Sequence, residues 1–247
     1  MIPLKSPEDL QMLSRSGKIL ARVMERVRKS VRVGITTADI DRLSEELILK
    51  EKAIPAFKGY KGFPATACIS VNEEIVHGIP GPRVILDGDI VSIDLGVNYQ
   101  GYFSDAAVTL AVGRVSSDRL KLIAITRQAL ELGIKQCCVG NNLTDISHSI
   151  QNFVEKNGYS VVRQFVGHGI GQALHEEPEI PNFGKPHLGP QLKSGMVLAI
   201  EPMVNIGSWE ALITANGWTA VTSDGKSSAH FEHTVAVTDQ GPVILTK

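Results

Sequence analysis

The sequence predicts an α+β fold made of two pseudo-equivalent halves, each running helix, helix, strands, and three features of its 247 residues lead there. An apolar lead-in closing on an acid occurs twice, as Gly88-Asp89-Ile90-Val91-Ser92-Ile93-Asp94 and as Gly195-Met196-Val197-Leu198-Ala199-Ile200-Glu201. Each lead-in is followed by a second acid just behind a phenylalanine and ahead of a β-branched run, Phe103-Ser104-Asp105 and Phe231-Glu232. Upstream, Gly34-Ile35-Thr36-Thr37-Ala38-Asp39-Ile40 is matched by Gly140-Asn141-Asn142-Leu143-Thr144-Asp145-Ile146, and both supply residues suited to a helix N-cap. One domain over 1–247 is expected, with half-repeats of about 7–116 and 117–247, because no Pro-, Gly- or Ser-rich linker parts them. A repeat of half-domain size gives no solenoid.

The elements follow in order from their spacing. Residues 7–29 carry apolar positions at helical intervals, and a second amphipathic run leads from the Thr36 region to about Lys52. Strand signals come at 66–76, 91–95 and 102–112. The second half repeats the plan, with helices at 117–137 and from about Asn142 to Gly158, then strands at 161–166, 196–200, 203–205, 219–223 and 230–238. Two open antiparallel sheets backed by these helices would gather the four acids, each at the end of an apolar strand, between the halves. A turn centred on Asn98-Tyr99-Gln100-Gly101 is expected to set Asp94 directly opposite Asp105, at about 4.5–5.5 Å between Cβ atoms. Two like charges so close destabilise a sheet unless a cation holds them ionised.

Composition narrows the function classes. Basic and acidic residues number 25 and 26, thoroughly mixed, so net charge gives no reason to expect nucleic-acid binding. The 3 cysteines, Cys68, Cys137 and Cys138, are odd in number and lack zinc-ligand spacing, which points to a reducing, cytoplasmic setting. No apolar run is long enough to span a membrane, and Met1-Ile2-Pro3-Leu4-Lys5-Ser6 lacks a signal-peptide core.

A histidine able to complete a metal site lies in Val166-Gly167-His168-Gly169-Ile170-Gly171-Gln172-Ala173-Leu174-His175-Glu176-Glu177-Pro178, where three glycines and a proline rule against a helix. Glycines at 167, 169 and 171 let the backbone come close to something, and leave His168, between two of them, an unhindered approach to a ligand position. His77, in Val76-His77-Gly78-Ile79-Pro80, sits in a similar setting. His148 and His187 read as ordinary surface or core residues, and His230 and His233 as neighbours of the site. One histidine with four carboxylates is a hard, oxygen-rich set that suits a pair of Mn(II), Co(II), Fe(II) or Zn(II) ions and hydrolytic chemistry.

The ordered set Asp94, Asp105, His168, Glu201 and Glu232, with His77 upstream and the strings GHGIGQALHEEP, IDLGVNYQGYFSDAAVT, AIEPMVN and FEHTVAVT, resembles the type I methionine aminopeptidases of the pita-bread fold over essentially the whole chain. The short interval from Glu201 to Glu232 excludes the insertion that marks type II enzymes, and the whole looks like the minimal bacterial form. The resemblance implies a central dinuclear site in which Asp94 chelates one divalent metal, Asp105 and Glu232 bridge both, and His168 and Glu201 bind the other. A bridging hydroxide would attack the first peptide carbonyl, and Glu201 would take and pass on its proton. His175 would stabilise the oxyanion and His77 would contact the scissile nitrogen.

Removal of initiator methionine from nascent polypeptides and peptides, with a small second residue preferred, is the implied activity. Matching S1 positions are Tyr60, Phe63, Cys68 and Trp218, with Phe57 and Leu174 where other members commonly have Cys and an aromatic ring. Taken alone, the aromatic loop Phe57-Lys58-Gly59-Tyr60-Lys61-Gly62-Phe63 fits a self-packed lid as well as a pocket wall. The basic loop that bacterial relatives use at the ribosome is reduced to Lys226 between Asn205 and Ser228, which weakens the case for ribosome contact. A monomer is expected. Alternatives are an X-Pro aminopeptidase or prolidase-like peptidase, a non-catalytic pita-bread binding module, and a phosphoesterase, the last disfavoured by the lack of a phosphate cradle.

Overall fold

The computed structural model describes residues 2–247. Helix α1 (Pro7–Ser30) starts at Ser6, whose hydroxyl accepts from the Asp9 N–H while the Asp9 carboxylate accepts from the Ser6 N–H. The same reciprocal cap opens α2 (Thr37–Lys50) through Thr36 and Asp39. After α3 (Ser117–Lys135), α4 (Leu143–Lys156) opens at the matching place, the Asn142 N–H donating to the Asp145 carboxylate at 2.8 Å, so the repeat read in the sequence is a repeat of helix starts.

The first half contributes β1 (Ile54–Pro55), β2 (Ala67–Val71), β3 (Glu74–Val76), β4 (Ile90–Tyr99) and β5 (Tyr102–Ala111). The second contributes β6 (Ser160–Val161), β7 (Gly167–Gly169), β8 (Glu176–Ile180), β9 (Val197–Ile200), β10 (Met203–Asn205), β11 (Ala211–Ile213), β12 (Ala220–Thr222), β13 (Ser228–His230), β14 (His233–Thr238) and β15 (Gly241–Ile244). Strand β4 lies between β2 and β5, with β1 pairing its far end. A five-stranded sheet runs β15-β14-β9-β7-β8, and two three-stranded sheets run β13-β10-β6 and β11-β12-β3. The halves are therefore less alike than two copies of one sheet, although β4 and β9 enter from equivalent glycine turns, Gly88 (φ +98°) and Gly195 (φ +92°).

Several boundaries differ from the sequence reading. The 66–76 strand breaks at Asn72 (φ +59°), whose side chain ties Asp89 and the Ile90 N–H. The 161–166 strand is only Ser160–Val161, and 230–238 is interrupted at Phe231 and Glu232, where the chain passes from β13 to β14. Strands β8 and β15 carried too little alternation to be expected.

The register of the first hairpin also corrects the expectation. Tyr99 pairs Tyr102, so the loop is the two residues Gln100 and Gly101, both at positive φ (+53° and +87°), the tight turn that matches strand twist. Asp105 consequently opposes Gly96 and Asp94 opposes Ala107. The two acids are diagonal neighbours on one face within the strands, neither directly opposed nor at strand ends.

The halves meet where β5 runs beside the β13–β14 passage. The Glu232 N–H donates to Ala107 O at 2.9 Å, the Asp105 N–H donates to Thr234 Oγ1 at 2.9 Å, and the His230 N–H donates to Thr109 Oγ1 at 2.8 Å. One apolar core joins α1 and α2 to β2 and β4, a second joins α3 and α4 to β9 and β14, and a third cluster drawn from both halves includes Leu13, Phe57, Phe63, Cys68, Leu174 and Val197. No helix among the described residues is long and apolar enough to cross a membrane.

Candidate metal centre

The hydrogen-bonded seam between the halves decides which acids converge. Holding Asp105 and Glu232 at neighbouring positions of that seam, it brings one carboxylate oxygen from each, with a ring nitrogen of His168, within 4.8 Å of one another. His168 lies on β7, flanked by glycines because neighbouring backbone fills the space a side chain would need: a Cβ at 167 would strike Ala199 O and one at 169 would strike Glu177 O. What these glycines approach is thus the adjoining strands, not a ligand. The His168 Nδ1 sits 2.9 Å from Gly169 O, a carbonyl that can only accept, so the proton is on Nδ1 and Nε2 turns a lone pair toward Glu201 Oε1 at 3.6 Å. Glu201 follows β9, its backbone carbonyl held by Asn182 Nδ2 at 3.0 Å, and Asp94 points from β4 into the same cavity.

The electrostatics of this cluster ask for a cation. Burial raises Asp94 to about 7. Burial first, then neighbouring negative charge, pushes Asp105, Glu201 and Glu232 well above the usual carboxylate range. Among the described residues no Lys or Arg forms an ion pair with any of the four; the nitrogens nearest Glu201 belong to His168 and His230, whose burial lowers their pKa and leaves the rings neutral. Asp94 Oδ1, Asp105 Oδ1 and Glu232 Oε1 are buried with no hydrogen-bond partner, which in a native site needs a reason. Divalent metal ions fit: the donors are oxygens plus one imidazole nitrogen with a fixed tautomer, and the positive charge would restore all four acids to the ionised form.

Next to the acids opens a cavity of about 270 Å³, lined by Phe57, Tyr60, Phe63, Cys68, Leu174 and Trp218 together with His77 and His175. The aromatic loop is therefore pocket wall. A single 3-10 turn at Tyr60–Gly62 sets the Tyr60 ring parallel to that of His175, with centroids 5.2 Å apart, and Phe63 meets Trp218 edge to face at 5.2 Å. Phe57 rests on Gly96, where a Cβ would come within 2.6 Å of its ring. Cys68 pairs Asp94 across β2 and β4, and burial followed by the charge of Asp94 keeps its thiol protonated.

His77 holds a left-handed backbone (φ +58°), unusual outside glycine, with its ring edge-on to Phe165 at 5.4 Å. Burial lowers its pKa. The His175 Nδ1 lies 2.9 Å from the Tyr60 hydroxyl, and its ring centroid is 4.2 Å from that of His168. Its pKa is lowered by the protein packed around it, then by the charges of His168, Lys61 and His77. Of the other histidines, His230 is buried with Nε2 3.7 Å from Glu201 and its pKa pushed down to about 3 by burial, while His187 pairs Asp145 at the surface. Reading the sequence missed Lys61 in the cavity wall and Thr234, whose hydroxyl brackets the Asp105 backbone. Thr234 follows Glu232 at the strand interval of two, a signal open to use; Lys61 gave none.

A sequence model described as metallopeptidase family M24 matches residues 11–239. The methionine aminopeptidase of Clostridium perfringens is 54% identical over 246 residues, covering 100% of this chain and 99% of its own. The crystal structure of methionine aminopeptidase from Thermotoga maritima superposes with a TM-score of 0.99 at 47% identity, all of each chain being covered. The prolidase of Pyrococcus furiosus, 23% identical, shares the fold with a TM-score of 0.81, and the match covers 99% of this chain and 65% of that one. With the pita-bread architecture, an acid-lined cavity and full-length likeness to such relatives, the chain belongs to metallopeptidase family M24, among its type I methionine aminopeptidases.

Proposed function

We propose that Asp94, Asp105, His168, Glu201 and Glu232 hold two divalent metal ions, and that with them the chain removes the N-terminal methionine from peptides and newly made proteins. The observation that carries the ligand assignment is the set of unpartnered, buried carboxylate oxygens at the floor of an apolar cavity. Asp105 and Glu232, next to each other across the seam, would be shared by both ions, Asp94 would hold one of them, and His168 with Glu201 would hold the other. When bound, divalent ions polarise the first peptide carbonyl and lower the pKa of an attacking water.

The chain's own residues do the rest. Glu201 accepts the proton of the attacking water and hands it to the departing amine. The role asks for the tautomer in which the Tyr60 hydroxyl, 2.9 Å away, donates to Nδ1 and leaves neutral His175 an Nε2–H to donate to the developing oxyanion. His77, neutral through burial and also lining the cavity, contacts the scissile nitrogen. The methionine side chain enters between Phe57, Tyr60, Phe63, Leu174 and Trp218 with Cys68 at the floor, where a thioether packs well against ring edges. Manganese, cobalt, iron(II) and zinc all suit the donors. The cysteine usage fits a reducing, cytoplasmic setting, and the chain is taken to act there as a monomer on nascent N-termini.

The test is turnover of Met-Ala-Ser and Ala-Pro-Ala by chelated protein to which each metal is returned in turn. Hydrolysis of Met-Ala-Ser that depends on added metal supports the reading. Preference for Ala-Pro-Ala would make the chain an X-Pro peptidase, and tight metal binding without turnover of either would make it a binding module.

A further inference from the structure

The loop that carries His175 is fastened by a group outside the cavity. Glu176, the residue after it, is largely buried (12% exposed), and its Oε1 accepts from the backbone N–H of Gln172 at 2.8 Å and of Ala173 at 3.1 Å. Its other oxygen takes the ammonium of Lys5, itself 8% exposed, from the segment before α1. Lys5 is anchored in turn, its N–H donating to Gly195 O at 2.8 Å, close beside the turn into β9 and Glu201. The pair packs directly over the Gly171 backbone, where a Cβ would crowd Lys5 Nζ and Cε and Glu176 Oε1. The Phe103 N–H holds Gly171 O at 2.8 Å from the opposite side. Neither Lys5 nor Glu176 lines the cavity.

We propose that the buried Lys5–Glu176 ion pair is a positioning device for His175, so that Lys5 governs the oxyanion-stabilising step without touching substrate or metal; this rests on the role given to His175 above. The carboxylate gathers two loop N–H groups and needs a counter-charge to remain buried and ionised; with Lys5 removed, it turns toward water and draws the loop with it. His175 is one residue away, so that movement shifts its ring from the Tyr60 stack and from the oxyanion. Displacements of about 1 Å in such groups cost up to roughly 10²-fold in rate.

A double-mutant cycle on the metal-loaded enzyme with Met-Ala-Ser tests this. Lys5→Met should lower kcat about tenfold or more while KM and metal content stay within about twofold, and Lys5→Arg should recover most of the loss. In a His175→Ala background, adding Lys5→Met should cost less than about twofold further, because the group it positions is gone. Lys5→Gln, which removes the charge but keeps a shorter donor toward Glu176, serves in the same cycle should Lys5→Met fail to fold. An equal loss in both backgrounds, or no loss in the wild-type background, overturns the proposal. His175→Ala alone with undiminished kcat would instead overturn the role of His175, and with it anything Lys5 could position.

Discussion

Removing the metals should make the stability of this protein fall as pH rises, the reverse of ordinary acid denaturation. Burial raises Asp94 from 3.8 to about 7. Between those values the folded protein keeps a proton that the unfolded chain has released, so stability is lost progressively across the window and the loss is complete above about pH 7. At about 1.4 kcal/mol per pH unit, the interval costs about 4 kcal/mol for Asp94 alone, and Asp105, Glu201 and Glu232 shift in the same direction. That is a large part of a typical folding free energy of about 5–15 kcal/mol. Carboxylates outside the cluster such as Asp9 and Asp224, whose pKa values are lowered by hydrogen bonds, slope the other way and are indifferent to metal. Urea unfolding of chelated wild type and chelated Asp94→Asn between about pH 4.5 and 7.5 separates the two: relative to the variant, wild type should lose about 3–4 kcal/mol, and metal loading should abolish the difference. Equal slopes for the two chelated proteins would refute the reasoning, because the acids would then be ionised without cost.

Other perturbations read the same site from different sides. Asp105→Ala or Glu232→Ala should abolish turnover and the binding of a second ion together; either variant with near-normal turnover and two tightly held metals, measured by calorimetric titration, would contradict the bridging role. Leu174→Phe should raise the Met-to-Leu ratio of kcat/KM several-fold by narrowing the cavity beside Phe57, since a pocket contact of this size is worth about 1–3 kcal/mol; a flat ratio would place the side chain outside the specificity wall. In Gly96→Ala the new methyl would lie 2.6 Å from the Phe57 ring and 2.8 Å from Ala56 Cβ, so the ring must move. A stability loss of about 1–3 kcal/mol with a raised KM for Met-Ala-Ser is expected, and an unchanged KM would show that the ring moves away from substrate.

Much of the site was legible because its residues lie on a repeat. The helix starts at Thr36 and Asn142 and the acids Asp94 and Glu201 occupy equivalent places, and a pattern seen twice is hard to assign to solvated surface. Register was less legible. The apolar run through Asp94 fits several turn lengths, and only the paired positive φ values of Gln100 and Gly101 fix the two-residue loop that leaves Asp105 facing Gly96. Nor does any local pattern reveal the seam in which Ala107 exchanges backbone hydrogen bonds with Glu232, because its partners are far apart in the chain and its geometry depends on both halves being folded. The Lys5–Glu176 pair was hidden for the same reason, its members being separated by 171 positions.

Anomalous diffraction from crystals of the chelated protein reloaded with manganese tests the central claim most directly. Two peaks roughly 3.5–4 Å apart, lying among Asp94, Asp105, His168, Glu201 and Glu232, are predicted. Peaks elsewhere on the chain, or none among these five side chains in manganese-activated enzyme, would contradict it.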